Sequence, residues 1–403
     1  PSTSIYFFKN LGRNGMFCFP TDEHLNNQIQ ENSNLNHRNN FLRSLDTILI
    51  CCAIAAGAAL IFMLLVQFIP RIMNYAAIIL GTLAMVGLCV CLALYPTEYT
   101  AAKWICFVVF IVLVLITIFE VFFNSKAWAV HGILLEEASR MVCDRIYVLS
   151  YIPIFILVAV AFAFMMVYEF KSIWTHGYLS FDPDRHLYHE VKGFKPALMS
   201  TLWGIQLIWG LTFIKESFNF CVSGTAVGWY YDNHEIGCFT PINWLFTKHF
   251  GSIVGGSFMT GFFSVGDYLF DFIKPDEKEH PDAAYTKCFS SVCDVCIRIF
   301  DLVRSDAMAY IFLTGNPFCN SSTYSEPLCD QSLLTESSQY TSRSYRICAP
   351  FLIAGGVAIA GLYVKGAGLS ALTILFIILL AIFISTFFIS IHADAAEAIQ
   401  IIF

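Results

Sequence analysis

Apolar runs long enough to cross a bilayer recur along this chain with only short polar interruptions, and that pattern leaves few folds open. At about 1.5 Å of rise per residue, roughly 20 consecutive apolar residues span the hydrocarbon core. This ruler places runs near residues 46–68, 72–95, 101–123, 147–170, 196–221, 248–273, 350–364 and 368–395. A further run, 287–313, is less oily and carries Arg298, Asp301, Arg304 and Asp306. It spans only if those groups face protein or water. Apolar residues make up 57% of the 403 residues and charged residues 13%, a balance too apolar for a soluble domain of this size. Unsatisfied amides in lipid cost several kcal/mol each, and the runs are too long and too unalternating for barrel strands. The expected fold is therefore all-α: a polytopic membrane domain over residues 46–403 with about nine transmembrane helices. Residues 1–45, rich in asparagine, read as a polar arm outside the membrane.

A formal net charge of −7 with 23 scattered basic residues argues against nucleic-acid binding, which needs a concentrated basic face. Several of the 15 cysteines, among them Cys51, Cys52, Cys89, Cys91 and Cys106, lie inside apolar runs. There a thiol acts as a small hydrophobe, so no disulfide scaffold is indicated. Cys293 and Cys296 form a lone CxxC beside Cys288 and His280, short of the four convergent ligands that zinc requires, and neither metal nor cofactor is expected. No phosphate-binding loop, dinucleotide fingerprint or G-x-S-x-G element is present, and no enzymatic activity is expected. Within "GSIVGGSFMTG", Gly251 with Gly255 and Ser252 with Gly256 have the spacing that lets helices approach closely. The segment "SKAWAVHGILLEEASRMVCDR" has Val130, Ile133, Leu134 and Met141 at moderately amphipathic spacing. It reads as an interfacial helix that keeps Glu136 and Glu137 in water.

Five motifs, in order from about residue 134 to the end, resemble those of the choline transporter-like family. "LLEEASRMV" is similar to its KEAS-type segment at Glu137, Ala138 and Ser139, with Glu136 in place of lysine. "SGTAVGWYY" resembles an AG-x-x-A-x-WY element at Gly224, Trp229 and Tyr230. "KHFGSIVGG" matches at His249, Gly251, Ser252 and Gly256, and "DAMAYIFLTGNPFCNSS" at Ala307, Ile311, Gly315, Phe318, Cys319 and Ser321. "SIHADAAEAIQIIF" resembles the closing stretch, with Glu397 where aspartate is usual. The resemblance implies a fold of ten spans with both termini cytoplasmic. The family's first span is absent from this chain, which implies nine spans and an outside N-terminus, whereas the distribution of Lys and Arg between loops leaves orientation open.

The function implied by the resemblance is multi-pass membrane transport of choline or a related organic cation by alternating access, with lipid as surroundings. The membrane implied is the plasma membrane or an organelle membrane such as the mitochondrial one. A quaternary ammonium cannot lose its charge, so its pathway needs aromatic faces and a carboxylate, each cation–aromatic contact contributing about 0.5–2 kcal/mol. Trp209, Phe213, Glu216 and Phe220 share one helix face by spacing, and Trp229 and Tyr230 follow near the inner end. These six form the candidate substrate site, although aromatics in membrane helices also serve as packing groups and interface anchors. Lys215 points away from Glu216, Arg304 can pair with Asp301, and Glu120, Asp267 and Asp271 lie toward span ends where they reach water. The alternative is a non-transporting subunit of a larger membrane assembly, with protein partners, that keeps the fold. The absent first span, Asp306 in place of asparagine and a reduced set of cysteines before that helix leave room for it.

Overall fold

A computed structural model describes residues 11–14, 17–20, 45–94, 125–174, 178–182, 187–191, 194–232, 236–273, 307–329, 333–365 and 371–402, with isolated positions between 108 and 115. Its helices in chain order are α1 (Leu45–Phe68), α2 (Pro70–Leu94), α3 (Ser125–Asp144), α4 (Tyr151–Trp174), α5 (Phe194–Tyr230), α6 (Thr240–Thr247), α7 (Phe250–Ile273), α8 (Ala307–Thr314), α9 (Phe318–Cys329), α10 (Leu333–Lys365) and α11 (Ala371–Ile402). A short 3₁₀ turn, Ile146–Ser150, leads into α4. The helical class expected for the membrane domain holds. It is supplemented by two antiparallel hairpins, β1 (Leu11–Asn14) with β2 (Phe17–Pro20) and β3 (Tyr178–Asp182) with β4 (Leu187–Val191). The expectation of a purely helical chain missed them because segments of four or five residues are too short for an alternating pattern to stand out.

Among the described residues, five helices are long and apolar enough to cross a membrane: Asp46–Phe68, Pro70–Leu88, Ile146–Phe170, Thr341–Gly361 and Thr373–Ile402. Their outward faces carry large apolar side chains, such as Phe68, Leu157 and Ile359, each at least 70% exposed. Bare in water such a surface would aggregate, whereas lipid solvates it. The expected runs at 196–221 and 248–273 fall on α5 and α7, which are helices but not among those five. Most of the expected span 101–123 and the first part of 287–313 lie outside the described residues, together with Glu120, Asp301, Arg304 and Asp306. The full expectation of nine spans is therefore borne out only in part.

The bundle is organised around α10 and α11, which pack along each other. α10 also packs on α1, α2 and α3, and α11 on α1, α3 and α5. Three expectations change here. The run expected to begin at 350 is the second half of a 33-residue helix that passes through Pro350. Its polar first half reads as loop in a hydropathy window, yet Thr341, Ser342, Ser344 and Tyr345 are buried against neighbouring helices. Helix α5 does not stop near 221 but runs 37 residues to Tyr230, about 55 Å at standard rise. Helix α3 is not a lone interfacial helix: it packs on α2, α10 and α11, burying Leu135, Ala138 and Met141 completely. Glu136 and Glu137 stay on its open side, where Glu136 meets Arg71 at 2.7 Å and Glu137 meets Arg140 at 2.8 Å.

Candidate functional site

Helix α5 carries the candidate residues, and its neighbours decide what each one faces. Trp209 donates through Nε1 to Ser257 Oγ at 3.2 Å and to the Val254 carbonyl at 3.3 Å, with its ring edge-on to Phe258. Phe213 meets Phe250 edge-on, with centroids 5.9 Å apart. Phe220 lies between His249 at 5.6 Å and Phe312 at 5.4 Å. The aromatic face of α5 is thus built against α7 and α8. Glycines allow that approach. A Cβ at Gly224 would fall 2.3 Å from the Phe312 ring, and one at Gly256 would fall 2.5 Å from the Phe318 ring. At Gly251 and Gly255, the other glycines of the expected small-residue stripe, an added Cβ would meet nothing within 4 Å among the described residues. Among the described residues, close packing in this stretch falls at Gly256 and at Gly261, where a Cβ would lie 2.9 Å from Thr212 Oγ1 on α5.

Glu216 sits in the same stretch of α5, fully buried, with neither carboxylate oxygen hydrogen-bonded among the described residues. The Asn219 side chain lies near it, but its Nδ2 is likewise without a partner. Trp229 and Tyr230 are not part of this group. Thirteen or more residues farther along a continuous helix, they stand about 20 Å from Glu216. There Trp229 Nε1 donates to Asp144 Oδ2 at 2.8 Å, and Tyr230 is partly exposed beside Tyr231. Because α5 continues to Tyr230, its axis carries these two away from the other four candidate residues.

Sequence reasoning missed the ionic centre of the bundle. Arg346 on α10 reaches Asp394 Oδ1 through Nη1 and Glu397 Oε2 through Nη2, each at 2.6 Å, with both acids almost wholly buried. Ser342 Oγ donates to Glu397 Oε1 at 2.9 Å. A span starting at residue 350 leaves Arg346 outside it, although an arginine and two acids in or beside oily runs are a functional signal by default. The charge of Arg346 and that of Glu397 both act on Glu216, and the half-buried Lys215 acts on Glu216 and Asp394. At formal charge, three carboxylates face two cations in this group. Among the described residues the acids of this group thus outnumber its cations by one at formal charge. A second polar contact crosses the bundle nearby: His392 on α11 meets Gln67 Oε1 at 3.0 Å, and Gln67 Nε2 donates to the Ser139 carbonyl and to Cys143 Sγ. Among the described residues no cluster of His, Cys, Asp and Glu could hold a metal ion. Cys288, Cys293, Cys296 and His280 lie outside them.

Bilayer-length helices packed around buried carboxylates and a guanidinium define a multi-pass integral membrane protein. Comparison with known families gives the particular one. The profile of the plasma-membrane choline transporter family matches residues 107–403, roughly three quarters of the chain, and the chain belongs to that family. No curated protein matches it. The matched region contains both the aromatic face of α5 and the ionic centre.

Several family-like residues noted in the sequence also acquire a physical role. Gly256 receives Phe318, and Gly315 takes φ +72° at the end of α8, a conformation that costs side-chain-bearing residues free energy. Trp229 ties α5 to α3 through Asp144.

Proposed function

We propose that this protein carries choline or a related organic cation across the membrane by alternating access, with Glu216, Trp209, Phe213 and Phe220 forming the substrate site. Trp229 and Tyr230 would then flank the pathway at one end of α5. The observation that carries this reading is Glu216, a carboxyl group removed from solvent whose oxygens have no partner of hydrogen-bond geometry among the described residues, in a group whose acids outnumber its cations by one at formal charge among those residues. An uncompensated buried charge is strongly unfavourable, and a monovalent cation arriving beside it relieves that cost. A quaternary ammonium needs no hydrogen-bonding partner, and the rings on the same face of α5 offer it π surfaces. Membership of the family supports the substrate class.

Uptake of radiolabelled choline into proteoliposomes tests the proposal, with each variant first checked for a monodisperse profile in detergent. Glu216→Gln should reduce uptake at subsaturating choline by about tenfold or more. Trp209→Ala should raise KM by about 2- to 30-fold, the equivalent of one cation–aromatic contact. Unchanged uptake in both variants would remove these residues from the site.

A further inference from the structure

Among the described residues Glu216 is a buried acceptor without a donor, and one turn farther along the same helix Asn219 Nδ2 is a buried donor without an acceptor. We propose that Asn219 determines the specificity of the substrate site: its Nδ2 donates to the hydroxyl oxygen of choline while that hydroxyl donates to Glu216, so the carrier selects quaternary amines that bear a hydroxyl two carbons from the nitrogen. This rests on the reading of Glu216 as the substrate carboxylate.

Both side chains stand on α5, and residues three apart on a helix are neighbours on its surface. Asn219 is held in one orientation by the next turn. Ser223 Oγ donates to its Oδ1 at 2.9 Å, which leaves the amide nitrogen on the other side of the group. Both residues of that pair are buried, each 2% exposed, so the orientation is set inside the bundle and not by solvent. Ser217 also has a buried hydroxyl without a partner among the described residues, but it follows Glu216 directly and points off that face. Phe213, Glu216 and Asn219 come in that order over about 9 Å of helix. Ring, acid and amide thus follow the order of a trimethylammonium head, a short link and a hydroxyl.

The chemistry of the two groups selects the ligand. A hydroxyl both donates and accepts, and so satisfies the acid and the amide together, whereas a methyl group satisfies neither. In choline the hydroxyl and the quaternary nitrogen are two carbons apart, so one carboxylate can face both. A hydroxyl that enters the interior gives up its hydration, and a partner already in place offsets that loss. An analogue without the hydroxyl leaves the Asn219 donor unpaired, which is how a polar site rejects a substrate that lacks the matching group.

The experiment measures kcat/KM for uptake of choline and of ethyltrimethylammonium, its analogue with hydrogen in place of the hydroxyl, in proteoliposomes of the full chain. The wild type should favour choline by at least about fivefold, the lower end of what an unpaired buried donor costs. A smaller preference overturns the proposal without recourse to any variant. Asn219→Leu, similar in size but unable to donate, should bring the ratio to about twofold or less by slowing choline more than the analogue. Ser223→Ala is a milder change that releases Oδ1 and lets the amide turn. It should lower the ratio by at least about twofold, and it decides the matter if Asn219→Leu gives no monodisperse protein. A residue that serves only packing, or only steadies Glu216, slows both substrates alike, so an unchanged ratio in these variants overturns the proposal. Failure of the substrate reading is distinct: Glu216→Gln would then carry choline like the wild type, whereas a wrong assignment of Asn219 alone leaves Glu216→Gln impaired and the ratio unmoved.

Discussion

Gly224 sits at the contact on which the aromatic face depends, and Gly224→Ala tests how tightly that face is built. A methyl group there would lie 2.3 Å from Phe312 Cε2, 2.5 Å from Cδ2 and 2.9 Å from Cζ, all inside van der Waals contact. A ring tip can often swing aside, but this one is stacked on Trp244 with centroids 5.0 Å apart and tilted against Phe220 at 5.4 Å. Phe312 is also 94% removed from solvent, its exposure being 6%. Relief therefore requires the ring, its stacking partners or the α5–α8 spacing to move together. Overpacking of this kind costs about 1–3 kcal/mol. At roughly 2–4 °C per kcal/mol for a chain beyond about 150 residues, the midpoint of thermal unfolding in detergent should fall by about 2–12 °C. Because Phe220 shares the stack, choline KM should rise as well. The double variant Gly224→Ala with Phe312→Leu removes the clashing ring edge and should restore at least half of the lost stability in a double-mutant cycle. A Gly224→Ala protein as stable as the wild type, or a cycle in which Phe312→Leu brings no recovery, would refute the close-packing argument.

Two further outcomes follow from local geometry. Gly315→Ala forces a side chain into the left-handed region at the end of α8 and should destabilise by about 1–2 kcal/mol, read as an earlier unfolding midpoint; no shift would contradict the φ of +72°. Glu136→Ala removes contacts to Arg71 and Arg140 whose arginine side chains are more than 60% exposed, so its effect should stay below about 1 kcal/mol and shrink further in high salt.

Much of the helical layout was legible in the sequence, but the charged centre was not, and α10 illustrates why. A hydropathy window sums neighbours along the chain. It found the oily second half after Pro350 and discarded the polar half that contains Ser342 and Arg346. Those residues are tolerated in the bundle only because Asp394 and Glu397 on another helix complete them. Similarly, the spacing of Trp209, Phe213, Glu216 and Phe220 on one helix face was readable from periodicity. The groups those rings meet, Phe258, Phe250, His249 and Phe312, come from segments that no spacing rule connects to α5. Trp229 and Tyr230, which the sequence places near the inner end, lie farther along the same continuous helix. At Gly224 and Gly228 a glycine allows close contact with Phe312 and Ile236 while the helix continues.

From the sequence alone came the solvent and the helical class: apolar length is an additive, local property, and lipid leaves the backbone little choice but to form helices. The family likeness was likewise present in short stretches of residues. Tertiary structure alone decided which buried charges are paired and which is left over. Compensation depends on the distance between groups far apart in the chain, and a carboxylate beside a guanidinium is a different chemical object from the same carboxylate without one.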